Sequence, residues 1–161
     1  MLKFVLFVFL FAGAVLPSTQ PTSLCSADEK IIFNCLIKEN AKTVSLCSSR
    51  ELTKERGYLQ YRFGRPGKVE LEFPKSREQT QKAFKYSHYF RAQVDLTEIS
   101  FTSAGYQYSI VDDYNGEERP ARSVQGVTVT TPEGKEVTLT CRGRAKADYS
   151  SLGDVFGTEE P

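Results

Sequence analysis

Apolar and polar residues alternate with a period of two along most of this chain. In "GYLQYRFG" Leu59, Tyr61 and Phe63 share one face, with Tyr58, Gln60 and Arg62 on the other. In "KVELEFP" Val69, Leu71 and Phe73 fall on an inward face and Lys68, Glu70 and Glu72 on an outward one. Successive side chains of a strand point to opposite faces, so each run reads as a half-buried strand. Arg65-Pro66-Gly67 lies between them. Pro presets the first turn position and Gly accepts positive φ at the second, which predicts a hairpin. "KIIFNCLIK" (30–38) and "KTVSLCSS" (42–49) read as strands joined across Glu39-Asn40-Ala41.

Further on, Tyr86, His88, Phe90, Ala92 and Val94 alternate with Ser87, Tyr89, Arg91, Gln93 and Asp95, which predicts one strand with Tyr86 and Phe90 facing the core. "EISFTS", "GYQYSIVDD", "SVQGVTVTT" and "KEVTLTCRG" follow, with Pro132-Glu133-Gly134 turning between the last two. The pattern fails in "PKSREQTQKAFK" (74–85). There Ser76 and Gln79 have capping-box spacing, so a short helix near 76–85 or an exposed loop is expected. "ADYSSLGDVFGTEEP" has no period and reads as a strap ending in a frayed terminus. The chain is therefore expected to be all-β, an antiparallel sandwich or barrel of about eight short strands.

Length and the first residues divide the chain. At 161 residues it is expected to form one domain. It opens "MLKFVLFVFLFAGAVLPSTQPTS", one Lys ahead of an apolar run from Phe4 to Leu16. That run is shorter than the roughly 20 residues a membrane-spanning helix needs, and it has the order of an export signal. Residues 1–18 are assigned to the signal, with cleavage after Ala14 or Ser18, 19–147 to a single β domain and 148–161 to the strap and tail. A lipid anchor is disfavoured, because Leu24 precedes Cys25 where a small residue would be expected. No stable membrane span is expected once the signal is removed.

Removing residues 1–18 removes Lys3, their only charge, and leaves 20 basic against 20 acidic residues. A neutral chain lacks the basic field that binds nucleic acid. All four cysteines, Cys25, Cys35, Cys47 and Cys141, follow the signal. An even count behind an export signal reads as two disulfides in an oxidising compartment. None of them form the close pairs typical of zinc sites, so no metal and no cofactor are expected. Of the three possible pairings, Cys35–Cys141 with Cys25–Cys47 is preferred, because the first ties the first strand to the last.

"FTSAGYQYSIVDDYNGEERP" (101–120) is the stretch that most resembles a site. Asp112, Asp113, Asn115 and Gly116 suggest a calcium loop. With Gly116 at position six, however, Val111 and Arg122 fall at the first and twelfth positions, where neither can serve. Asn115-Gly116 reads better as a two-residue hairpin turn with its acidic neighbours in water. His88 is the only histidine. A hydrolase using it with a serine and an aspartate would need no local motif, but no G-x-S-x-G elbow, phosphate loop or dinucleotide fingerprint is present. "KAFKYSHYFR" interleaves bases and aromatics but fits a strand with solvated lysines equally well. Ser103-Ala104-Gly105-Tyr106 offers a hydroxyl and a phenol between two strands; its simpler reading is a hairpin bent at Gly105.

Two resemblances add to this. "CSADEKIIFNC…VSLCSS…GYLQYRFGRPGKVELEFP…YSHYFRAQVDLTEISFTSAGYQYSIVDDYNGEE…TLTCR" resembles a family of small exported proteobacterial proteins, which implies a periplasmic or secreted location. More loosely, Ser103 and Tyr106 match the ends of a Ser-Gly-x-Tyr loop that periplasmic lysozyme inhibitors insert into the lysozyme cleft. Ala104 stands where that pattern has Gly, and Gly105 comes one place late. Cys35 and Cys141 match in order a disulfide of the C-type inhibitors, and Arg119 stands for their basic loop residue. The resemblance implies binding through Ser103, Tyr106 and Arg119 to a protein partner such as a lysozyme. The resulting expectation is an exported, non-enzymatic binding protein. A structural or envelope-stress protein and a hydrolase using His88 are the alternatives.

Overall fold

In a computed structural model, residues 22–78 and 80–157 are described. The assigned signal, the last four residues and Gln79 of the capping-box pair therefore lie outside the described residues. The alternating runs form two antiparallel five-stranded sheets. The first sheet contains β1 (Lys30–Leu36), β2 (Thr43–Ser48), β3 (Leu59–Arg65), β4 (Lys68–Phe73) and the two-residue β10 (Lys146–Ala147), in the order β10-β1-β2-β3-β4. The second is a meander of β5 (Lys85–Arg91), β6 (Val94–Ser103), β7 (Tyr106–Asn115), β8 (Arg122–Thr130) and β9 (Glu136–Thr140).

Their facing sides make the core. Phe33, Leu46 and Tyr61 lie in register across the first sheet, and Ile99, Ile110 and Val127 across the second. Between them Phe101 stacks on Phe73 at 4.5 Å and on Tyr108 at 4.9 Å between ring centroids. The sheets meet at a corner where Lys38 N donates to Thr140 O (2.9 Å) and Arg142 N to Leu36 O (2.6 Å). Cys35–Cys141 locks that corner and Cys25–Cys47 pins the N-terminal segment, the expected pairing. Two disulfides are the chemistry of an oxidising environment.

Several local expectations are met and others corrected. Pro66-Gly67 makes the expected two-residue turn, with Arg65 opposite Lys68 and Gly67 at φ 76°. The irregular patch contains a short 3-10 turn, Thr80–Ala83. The run from Tyr86 to Val94 is not one strand: it folds back at Ala92-Gln93, with Gln93 at φ 64°. Phe90 shares the inward face with Tyr86 and His88 but is 72 % exposed, because it sits at the end of an edge strand. Asn115-Gly116 is not a two-residue turn either. Asn115 ends β7 opposite Arg122, and the chain loops through 116–121 past a cis Arg119–Pro120 bond. Gly116 N instead donates to Gln93 O at 2.7 Å, tying this loop to the neighbouring turn. The strap ends in α1 (Leu152–Phe156), whose Leu152 and Val155 are buried and whose Phe156 packs 5.8 Å from Tyr86.

The centre of the first sheet, β1 to β3, is buried on both of its sides. Residues 22–29 cross its outer face, so Gln60 and Arg62 are buried rather than solvated. There Arg62 donates to both oxygens of Glu29 (2.6 and 2.8 Å) and to Leu24 O (3.0 Å). Burial opposes ionisation of Glu29. Hydrogen bonds from Arg62, the Ser26 amide and the Tyr58 hydroxyl outweigh it and hold the carboxyl below its ordinary value.

Candidate functional site

The inward face of the second sheet changes character along its strands. Rows in register run Phe101–Tyr108–Val129 and Ile99–Ile110–Val127, all apolar but for one phenol. The next two rows are Thr97–Asp112–Gln125 and Asp95–Tyr114–Ser123, and β5 extends them with His88 opposite Thr97 and Phe90 opposite Asp95. Alternation keeps all of these on the side that faces the first sheet. A strand that remained apolar here would close the sandwich; these polar residues leave it open. The result is a cleft of about 1020 Å³, roofed by Gly143, Arg144, Ala145, Ala147 and Tyr149 as the chain crosses back to β10. That is the size of a small-molecule site.

One wall is fixed by hydrogen bonds. Gln125 Nε2 donates to Asp112 Oδ1 (2.7 Å) and Tyr149 Oη to Asp112 Oδ2 (3.0 Å). The Ala145 amide donates to Gln125 Oε1 at 2.9 Å. Asp112 is thus a half-buried acceptor with both oxygens engaged, not a carboxylate left in water at a loop tip as its sequence neighbours suggest. Burial, with the Asp112 charge beside it, raises the Tyr149 phenol well above its ordinary value. Tyr149 therefore acts as a donor that clamps the roof to the sheet.

The opposite wall is open. His88 lies at the rim, with Nε2 2.9 Å from Asp95 Oδ1. Asp95, Tyr114 and the roof residue Arg144 reach solvent. Among the described residues Arg144 has no hydrogen bond or ion pair. No serine hydroxyl bonds His88 among them either. Ser123, in the same cleft, stands three strands from His88, about 14 Å at ordinary strand spacing. Among the described residues the hydrogen-bond partner of His88 is Asp95, with no serine in the chain of bonds.

The sequence-chosen residues fall elsewhere. Ser103 pairs with Tyr106 across a two-residue turn in which Ala104 (φ 51°) and Gly105 (φ 82°) both have positive φ. Tyr106 is 40 % exposed at this tip. Arg119 lies in the loop beyond the far end of β7, so the length of the hairpin, about 30 Å, separates it from Ser103 and Tyr106. Its guanidinium donates to Gly116 O at 2.7 Å. No family model, curated protein or solved structure matches this chain.

Cys25, Glu29 and Cys47 place ligand-type atoms within 4.8 Å of one another, yet the two sulfurs are bonded together and offer no thiolate to a metal. Among the described residues no helix is long and apolar enough to cross a membrane. The cleft residues were not legible as a group because they come from five strands and a crossover. The usable signal was the replacement of Ile and Val by Thr97, Asp112 and Gln125 partway along three apolar-patterned strands.

Proposed function

We propose that this chain is an exported, non-enzymatic binding protein that holds its ligand in the polar cleft between the sheets. The observation that carries the reading is the division of labour within the cleft. Asp112, Gln125 and Tyr149 satisfy one another and fix the roof, while Asp95, Tyr114, Ser123 and Arg144 keep polar atoms facing open space. A rigid wall beside uncommitted groups is the form of a preorganised site. The distance from His88 to the cleft serine favours binding over hydrolysis. The apolar N-terminal run and the paired cysteines favour a periplasmic or secreted location.

The chain has no tryptophan, so Tyr114→Trp makes the cleft its own fluorescent reporter. Titration with amino acids, sugars and phosphate esters is expected to change that emission saturably for one class. A flat response to all three, with a Trp placed at Tyr106 responding instead, rejects the cleft.

A second reading follows the lysozyme-inhibitor resemblance. Its support is the exposed Ser103–Tyr106 tip; Arg119 could not join it in one contact. Mixing the protein with lysozymes of several classes tests it in a cell-wall lysis assay. Inhibition lost in Tyr106→Ala and kept in Arg119→Ala is the expected pattern, and no inhibition at micromolar excess removes this reading.

A further inference from the structure

The charges of the cleft, taken one by one, select a class of ligand. Asp112 has both oxygens filled from within the protein. At the neighbouring rim Arg91 is engaged by both carboxylate oxygens of Glu117, and Arg119 by the backbone oxygens of Gly116 and Glu118. Two charged groups remain with capacity to spare. Asp95 gives one oxygen to His88 and keeps the other, and Arg144 has no hydrogen-bond or ion-pair partner among the described residues. They have opposite sign, one on the floor of the cleft and one on its roof.

The floor charge has a particular setting. Asp95 stands directly opposite Phe90 on one side and Tyr114 on the other. Directly opposed strand residues have Cβ atoms about 5 Å apart. Asp95 thus has an aromatic neighbour on each side in the ladder, Tyr114 lining the cleft and Phe90 at its outer edge, 47 % and 72 % exposed. Phe90 lies 6.3 Å from the His88 ring on the same face of β5. Ring faces attract cations, and a carboxylate between rings adds a charge-assisted hydrogen bond from an ammonium. Gly116 contributes by lacking a side chain: a Cβ there would come 2.8 Å from the Tyr114 hydroxyl.

We infer that the cleft takes a small zwitterion, with its ammonium held by Asp95 between Phe90 and Tyr114 and its anionic group held by Arg144. This rests on the cleft being the binding site. A ligand with only a cation would leave Arg144 facing it with like charge, and one with only an anion would meet Asp95. An amino acid, an ω-amino acid or a peptide end carries both groups, and the free length between them sets which one fits.

The test is an amide shift titration of the isotope-labelled, oxidised protein. The probes are γ-aminobutyrate and ε-aminocaproate, with hexylamine and hexanoate as single-charge controls. Shifts centred on Thr97, Asp112 and Gln125, with at least one zwitterion binding about tenfold or more tightly than either control, are expected. Asp95→Asn should then cost about tenfold for the zwitterion while hexanoate binding is kept, and Arg144→Gln should cost about tenfold for the zwitterion while hexylamine binding is kept. Arg144 is exposed and Asp95 half-exposed, so unchanged spectra elsewhere will show that the fold is intact. No cleft shifts from the zwitterions up to about 10 mM, or equal binding of hexylamine, overturns the inference. Cleft shifts from a neutral oligosaccharide but not from the zwitterions overturn it while leaving the cleft as the site. Zwitterion shifts confined to the 103–106 turn overturn both.

Discussion

Glu29 and Arg62 show how much one buried residue can carry. The Glu29 side chain is fully buried and that of Arg62 is 3 % exposed. Removing Glu29 leaves the buried Arg62, among the described residues, with only the longer 3.4 Å ion pair from its Nε to Glu72, so Glu29→Gln is expected to destabilise the protein by about 3 kcal/mol in a denaturant titration. The pair also sets a response to acid. The folded-state pKa of Glu29 is lowered, so its contribution is full above the ordinary carboxylate range and is lost as pH falls through the folded value. Stability should therefore drop below about pH 4.5, and less steeply in Glu29→Gln. Asp113 runs the other way. Burial raises its pKa, so it opposes folding as pH climbs, and Asp113→Asn should gain stability at neutral pH. None of this was visible in "GYLQYRFG". Arg62 alternates there with apolar residues as a solvated residue would, and what buries it is a segment more than thirty residues earlier.

Hairpins were legible where turn chemistry was local. Pro66-Gly67 stands between two runs of clear period, and both runs form strands, but a bulge at Phe63/Gly64 leaves Val69, expected to face inward, 43 % exposed. The turn at Ala92-Gln93 has no such marker: Gln93 is driven to positive φ by the pairing of β5 with β6, so the sequence pattern runs straight through it. Asn115-Gly116 fails in the opposite sense. Its turn signal is strong, but pairing of β7 with β8 continues to Asn115 opposite Arg122. Gly126 has a different role, close approach. A Cβ at this position in β8 would lie 2.1 Å from Leu139 O in β9. Gly126→Ala should therefore pry β9 from β8 at a cost of about 1–3 kcal/mol, read as faster amide exchange along Glu136–Thr140.

At the scale of the molecule, the two sheets are held together by packing and by one corner. Cys35–Cys141 closes a separation of 106 residues there. Replacing both cysteines by alanine should cost about 2–5 kcal/mol, mostly by freeing the unfolded chain. The loss should exceed that for Cys25 and Cys47, which are separated by only 22 residues. The fold class and this pairing were readable because alternation and cysteine count are properties of single runs and of the chain's ends. The cleft was not, because its walls come together only when five strands lie in register and the 142–149 crossover folds over them. "SAGY" drew attention by its composition; the ladder places two of the uncommitted polar groups, Asp95 and Tyr114, at the other end of the same hairpin. Intermolecular nuclear Overhauser effects from a bound ω-amino acid measure this claim most directly. Contacts from the methylene beside the ammonium to the rings of Phe90 and Tyr114 are predicted, whereas contacts to Tyr106 in their place would contradict it.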